Sequence, residues 1–343
     1  MSKSLLYPEW ANTRAITLAW PFPASDWSAN LAQAQQCYAH MVAAFSRVVP
    51  VWLLVHPSVE LDSVKSALEK LNAHVARVEL IHTINYNDTW MRDYGPLSCN
   101  TGYIQFEFNG WGGKYAAPDD NQVPTRLADW LGQIPKTSGV VCEGGGLETN
   151  GEILLVNQDC IVDEARNPGS TRQSMTEILR EWLGVQAIEW LQNIQLTGDD
   201  TDGHIDTIAR FVAPNTVVYS GTNPHHPDAQ SLQRLDTQLK AIAQRRNWQL
   251  FALPTPHYTS RIDGRVLPAT YANFLICNQH VFVPIYGLPE DDAALKVLTA
   301  ACPAWEIIPV RCEALLEQHG SLHCATMQII DLKNPGSFDY GER

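Results

Sequence analysis

Nowhere does the sequence contain a run of about eighteen apolar residues, the length a helix needs to cross a bilayer, so no helical membrane span is expected. Its first residues, Met1-Ser2-Lys3-Ser4-Leu5-Leu6-Tyr7-Pro8-Glu9, lack a long apolar stretch ending in small residues, so no secretory signal is read there and a cytoplasmic protein is expected. Eight cysteines are scattered at 37, 99, 142, 160, 277, 302, 312 and 324 without a C-x-x-C pair, which argues against both a disulfide framework and a zinc ribbon. H-E-x-x-H is missing too, and with it the usual helical zinc-hydrolase signature. Linkers and low-complexity segments are also lacking, so the chain is read as one domain over 1–343. Positive charge is scarce: 24 Lys and Arg face 37 Asp and Glu, a net charge of −13. That balance disfavours nucleic acid and anionic membranes and would concentrate a cationic ligand.

What is present is a folded globular composition, 45% apolar with 11 Trp. Strand and helix patterns alternate from the outset: a strand over 15–20, a helix over 30–46 with Leu31, Ala34, Tyr38, Met41, Val42 and Phe45 at helical spacing, a buried-type strand over 50–55, and a helix over 58–73 opened by Ser58. Further helices are expected over 124–132, 174–183, 231–245 and 292–301, and strands over 153–156, 217–220, 269–277, 281–284 and 325–330. This is an α/β pattern.

Between these elements lie polar clusters beside glycines: Asn87-Asp88-Thr89-Trp90-Met91-Arg92-Asp93-Tyr94-Gly95-Pro96, Glu143-Gly144-Gly145, Gly203-His204-Ile205-Asp206 and Gly320-Ser321-Leu322-His323-Cys324. Glycine lets backbone approach a ligand where a side chain would obstruct it. His204 and Asp206, two apart on an expected strand, would share a face. A lone cysteine is by default a small buried thiol. The clusters, however, recur at a coarse period with roughly strand, helix and strand in each interval, as in a ring of similar units presenting polar residues to one centre.

If Asp93, Glu143, His204, Asp206 and Cys324 converge, the abundance of carboxylates opposes oxyanion chemistry and suits a planar cation with paired N–H donors, a guanidinium. Its delocalised charge makes the central carbon a poor electrophile, so a thiolate nucleophile and a geometric clamp are both needed. Asp93 and Asp206 would grip the cation, Cys324 would attack its carbon, His204 would protonate departing ammonia and later activate water, and Glu143 would orient His204. Trp90 and Trp111 could flank the substrate chain, and acidic neighbours such as Asp199, Asp200 or Asp202 could take a second positive charge.

Those motifs, with Phe108-Asn109-Gly110-Trp111-Gly112-Gly113-Lys114-Tyr115, Asn273-Phe274 and Cys324-Ala325-Thr326, resemble the agmatine deiminase family of the guanidine-modifying superfamily, collinearly along nearly the whole chain. The resemblance implies a five-bladed α/β propeller (pentein), a covalent amidino-cysteine on Cys324, hydrolysis of agmatine to N-carbamoylputrescine and ammonia, and neither metal nor organic cofactor. It adds Asn273 as a polar site residue and Asp200 as a candidate partner of the substrate amine. One glycine, Gly320, stands where the family usually has three before the final motif, and Gly146-Leu147-Glu148 replaces a Ser-Ile-His run. His323, by alternation, points away from Cys324 and is expected to be structural. Peptidyl or free arginine, or amidino transfer, is the nearest alternative. Metal-assisted hydrolysis through His204, Asp206 and Cys324, and a non-catalytic binding module, are more distant ones. A homodimer is expected as the commonest closed assembly.

Overall fold

A computed structural model describes residues 4–336. The alternating pattern becomes a mixed α/β fold of five main sheets and one short hairpin. Leu97–Cys99 and Gly102–Glu107 pair antiparallel, and Lys136–Val141 returns parallel to the second of them. The same connection recurs in Glu148–Thr149, Ile153–Asn157 and Ala187–Leu191, in Ala209–Ala213, Thr216–Ser220 and Gln249–Leu253, and in Leu275–Cys277, His280–Ile285 and Glu306–Arg311. A parallel return requires a crossover. Helices Arg172–Leu183, Ala229–Arg246 and Asp291–Ala301 supply it in three sheets, and the short turns Val123–Arg126 and Ala128–Leu131 in the other.

The remaining sheet joins the two ends of the chain. Met327–Ile330 runs antiparallel to Thr13–Ala19, which is followed through helix Leu31–Phe45 by the parallel strands Val51–Leu54 and Val78–Ile81. The last strand thereby takes the place that the first strand of a hairpin holds in the other sheets. Strands Val51–Leu54 and Met327–Ile330 are buried along their whole length; the first reads as an unbroken apolar run, while the second buries Gln328 by donating its amide to the Ile276 carbonyl. Helix Leu31–Phe45 buries Ala34, Cys37, Tyr38, Met41, Val42 and Phe45, and Phe45 meets Phe282 edge-on at 4.7 Å. Among the described residues, no helix is long and apolar enough to cross a membrane.

Four local expectations are corrected. The helix expected over 58–73 is Leu61–Lys70, because Ser58 hydrogen-bonds His56 Nδ1 instead of capping a helix. His204 and Asp206 are not on a strand: Ile205–Thr207 is a 3₁₀ turn, and the Thr207 hydroxyl donates to the His204 carbonyl at 2.8 Å. The strand over 269–277 shrinks to Leu275–Cys277, since Thr270 turns its hydroxyl to backbone, donating to the Thr207 carbonyl and accepting from the Ala272 amide. The strand over 325–330 begins only at Met327, because the Thr326 hydroxyl closes a turn onto the carbonyls of Leu322 and His323. In each case a hydroxyl or imidazole competes for the backbone.

The corrections share a consequence. Asp93 precedes strand Leu97–Cys99, Glu143 precedes Glu148–Thr149, Asp206 precedes Ala209–Ala213, Asn273 precedes Leu275–Cys277, and Cys324 precedes Met327–Ile330. Every polar cluster occupies the same topological position, a turn entering the first strand of a sheet.

Candidate active site

Asp93 sits on the buried helical turn Met91–Tyr94, whose Arg92 amide donates to the Cys324 carbonyl at 3.1 Å and ties that turn to the thiol. Cys324 Sγ lies 3.2 Å from Asn273 Nδ2 and 3.6 Å from Asp206 Oδ2. Asn273 Oδ1 also accepts from the amides of His323 and Cys324, so one amide side chain fixes both the sulfur and its backbone. His204 stands between two acids, with Nδ1 3.5 Å from Asp93 Oδ1 and Nε2 3.8 Å from Glu143 Oε2. Asp93, Glu143, His204, Asp206, Asn273 and Cys324 thus lie together, on turns that enter different sheets.

Close approach explains the glycines here. A Cβ on Gly145 would lie 2.6 Å from His204 Nδ1 and 2.7 Å from Asp93 Oδ1, and one on Gly320 would lie 2.4 Å from the Trp90 ring. Trp111 adopts φ 56° and ψ 52°, a left-handed conformation costly for a bulky residue. That turn delivers its indole N–H to Asp93 Oδ2 at 3.0 Å.

The electrostatics are uneven. Burial pushes Asp93 up to about 6; His204 opposes the shift, and Asp206 and Glu143 add to it. Glu143 is held below the usual carboxylate range: burial works against its charge, but His204 and Arg166 outweigh it. Burial likewise opposes charge on His204, yet Asp93, Cys160 and Glu143 raise it well above the ordinary imidazole value. Burial first, then Asp206 and Asp93, push the Cys324 thiol well above its usual range. The free site therefore holds a thiol, an imidazolium and several carboxylates.

Both ring nitrogens of His204 and Oδ1 of Asp206 are buried without a hydrogen-bond partner among the described residues. Unmet donors and acceptors at one point are costly unless a ligand completes them. Beside them lies a cavity of about 40 Å³ walled by Trp90, Trp111, Asp93 and Cys324, with Asp26, Asp88, Tyr115 and Asp200 also lining it. Asp200 accepts from the Tyr115 hydroxyl at 2.5 Å. Asn273 touches the sulfur, and Asn273, Glu143, His204 and Asp206 lie behind the cavity wall that Asp93 and Cys324 form. Asp199 and Asp202 are engaged elsewhere, Asp199 with Thr201 and Gly203 and Asp202 with Lys114 and Arg166.

Sequence reasoning missed Arg166, which donates through Nε to both oxygens of Glu143 at 2.8 and 3.1 Å. A single arginine in a loop reads as solvated, and nothing in its spacing betrays a buried ion pair. Asp26 and Asp88 were also missed, although Asp88 lay inside a quoted motif. Burial lifts Asp88 to about 7, with Asp26 and Asp93 reinforcing and the Thr89 amide opposing. Among the described residues, the metal-capable donors that gather are Glu143, Cys160 and His204, a different set from His204, Asp206 and Cys324. Arg166 already occupies both Glu143 oxygens, so an ion there would have to displace a guanidinium.

Repeated sheets that gather a thiol, a histidine and carboxylates at one cavity define a cysteine-centred, acid-lined site on a mixed α/β scaffold. The chain belongs to the Porphyromonas-type peptidyl-arginine deiminase family, whose profile matches residues 5–329. A Vibrio parahaemolyticus protein provisionally named an agmatine deiminase is 33% identical over 92% of this chain and 93% of its own. Among solved structures, a serine-for-cysteine variant of C. jejuni agmatine deiminase with substrate bound superposes with a TM-score of 0.87, at 31% identity over 95% of this chain and 96% of that one. A Porphyromonas gingivalis protein provisionally named an arginine deiminase gives 0.87 at 36% identity, over 96% and 99% of the two chains.

Proposed function

We propose that this protein hydrolyses agmatine to N-carbamoylputrescine and ammonia through a covalent intermediate on Cys324. The observation that carries the substrate is the cavity lining: Asp26, Asp88, Asp93 and Asp200 contribute to it, and neither Arg nor Lys does. A free amino acid would set its carboxylate against these acids, whereas agmatine offers a guanidinium at one end and an ammonium at the other. The relatives named for agmatine lend the same support.

In this reading Asp93 and Asp206 clamp the guanidinium, and Trp90 and Trp111 flank the chain leading to an ammonium held near Asp200. The arriving cation offsets the burial and the negative field that keep Cys324 protonated, so the thiol releases its proton to solvent as substrate binds and the thiolate forms with substrate in place. Sγ bonds to the guanidinium carbon. The imidazolium of His204, steadied by Glu143, gives its proton to the departing nitrogen, and ammonia leaves. His204 then takes a proton from water, which attacks the carbon; the C–S bond breaks and the thiolate is restored. No step calls for a metal or organic cofactor.

We further infer that the five sheets are the blades of one α/β propeller and that 1–343 is one domain. Supporting this are the repeated connection and the last strand, which completes the first sheet. A cytoplasmic homodimer remains part of the reading. The free cysteines 37, 99, 142, 160, 277, 302, 312 and 324 suit a reducing compartment, and dimers are the commonest closed assembly. A substrate panel tests the function: ammonia release from agmatine, and little from free arginine or a peptidyl-arginine, is expected. Preference for the peptidyl substrate would overturn the assignment.

A further inference from the structure

Behind Asp206 lies a buried chain of charges that the reaction above does not use. Asp206 Oδ2 meets His323 Nδ1 at 2.8 Å, and the other ring nitrogen, Nε2, meets Glu9 Oε2 at 2.6 Å. Glu9 belongs to the segment ahead of the first strand. That segment is strapped across the sheets by the Leu6 amide on the Leu183 carbonyl and the Tyr7 amide on the Ser98 carbonyl. Glu9 Oε2 also accepts from Arg210 Nη2 at 2.5 Å and lies 3.8 Å from Arg92 Nη2, while its Oε1 takes the Ile276 amide at 2.7 Å.

Proton counting gives the chain its direction. Two carboxylates within hydrogen-bonding distance of both nitrogens of one imidazole need two protons on the ring if both acids are ionised. Burial, Arg210 and Arg92 hold the His323 ring below the ordinary imidazole value against Glu9 and Asp206, so it is the two short contacts to carboxylates, at 2.8 and 2.6 Å, that call for a proton on each nitrogen. With Oδ2 held by His323, Asp206 keeps one oxygen, Oδ1, buried and without a partner among the described residues. Neither Glu9 nor His323 lines the cavity beside Cys324; both line a separate one of about 60 Å³ with Arg92 and Glu148. The His323 ring meets the site at Asp206, and Glu9 meets it through that ring.

We propose that Glu9 and His323 are positioning residues: Glu9 holds an imidazolium at His323, which pins Oδ2 of Asp206 and leaves Oδ1 for the substrate's guanidinium. This rests on the cation-clamping role given to Asp206. The first strap of the chain then completes a site otherwise built from turns entering the sheets, and His323 is a link in that support, more than a structural neighbour of the nucleophile.

The test is a double-mutant cycle on the full chain, with whichever guanidine substrate the wild type turns over. Glu9→Gln keeps an acceptor for the Ile276 amide but removes the charge. It is expected to cut kcat by between about tenfold and a hundredfold, the scale of a displaced clamp. Any fall in kcat that accompanies loss of the His323 proton should also move to lower pH, because that proton is then opposed by Arg92 and Arg210 and favoured only by Asp206. His323→Asn keeps a donor for Asp206 and severs the link to Glu9, so adding Glu9→Gln to it should change kcat by less than about twofold. Wild-type rate and pH profile in Glu9→Gln would overturn the proposal, as would full additivity of the two changes. Neutron diffraction on the wild type does not depend on the variants folding or on the substrate assignment. Deuterium on both His323 nitrogens at neutral pH is expected, and a singly protonated ring would refute the relay.

Discussion

Cys324, buried among Asp206 and Asp93, is a poor nucleophile until a cation arrives, and this sets the residue-scale predictions. Cys324→Ser should lower kcat by at least about a thousandfold while far-UV dichroism stays unchanged, because only the nucleophile is lost. The acidic limb of kcat/KM follows from the two raised carboxylates. Asp93 at about 6 and Asp88 at about 7 lose their charge as pH falls, so activity should decline from pH 7.5 towards 5.5. Stability runs the other way. A carboxyl whose folded value is raised contributes stability at low pH that is lost as pH rises through that value. Asp88→Asn, which removes a buried charge present only at higher pH, should therefore raise Tm clearly at pH 8 relative to wild type and by distinctly less at pH 5, since the effect accumulates between the unfolded and folded values. An equal shift at both values would contradict the titration assigned to Asp88. The sequence displayed the converging types, Asp93, Glu143, His204, Asp206 and Cys324, because guanidinium chemistry demands them together. Arg166 and Glu9 stayed hidden, because their importance lies in buried partners far along the chain.

At the scale of elements, the alternation of strand and helix was legible from apolar spacing, while the turns that carry chemistry were not. Pleat alternation placed His204 and Asp206 on a strand, but the Thr207 hydroxyl draws that stretch into a 3₁₀ turn, and Thr326 does the same beside Cys324. Short side chains that hydrogen-bond backbone override a strand pattern locally, and periodicity does not report them. Gly145 and Gly320 are places of close approach to the site's own side chains. Gly145→Ala would press a methyl group against His204 Nδ1 and Asp93 Oδ1, with no flexible chain end to yield. It is expected to lower kcat by about a hundredfold, with a smaller relative effect on Tm; near wild-type turnover would show that the turn can move aside.

For the whole molecule, the pairing of Met327–Ile330 with Thr13–Ala19 joins the catalytic turn to the start of the chain. Ile329 is fully buried in the shared core, so Ile329→Ala should cost about 2 to 5 kcal/mol in denaturant unfolding, a loss located where the two ends meet. The coarse period of the polar clusters foreshadowed the repeated sheets, but it could not show that the last strand pairs with the first, since that contact spans nearly the entire sequence. The central claim is that a guanidinium held by the buried acids turns Cys324 into a nucleophile towards its carbon. Rapid acid quench during agmatine turnover, followed by peptide mass mapping, tests it most directly. A mass increase equal to agmatine less ammonia on the peptide containing Cys324 is expected, and the same adduct on any other cysteine, or turnover without an adduct on Cys324, would contradict it.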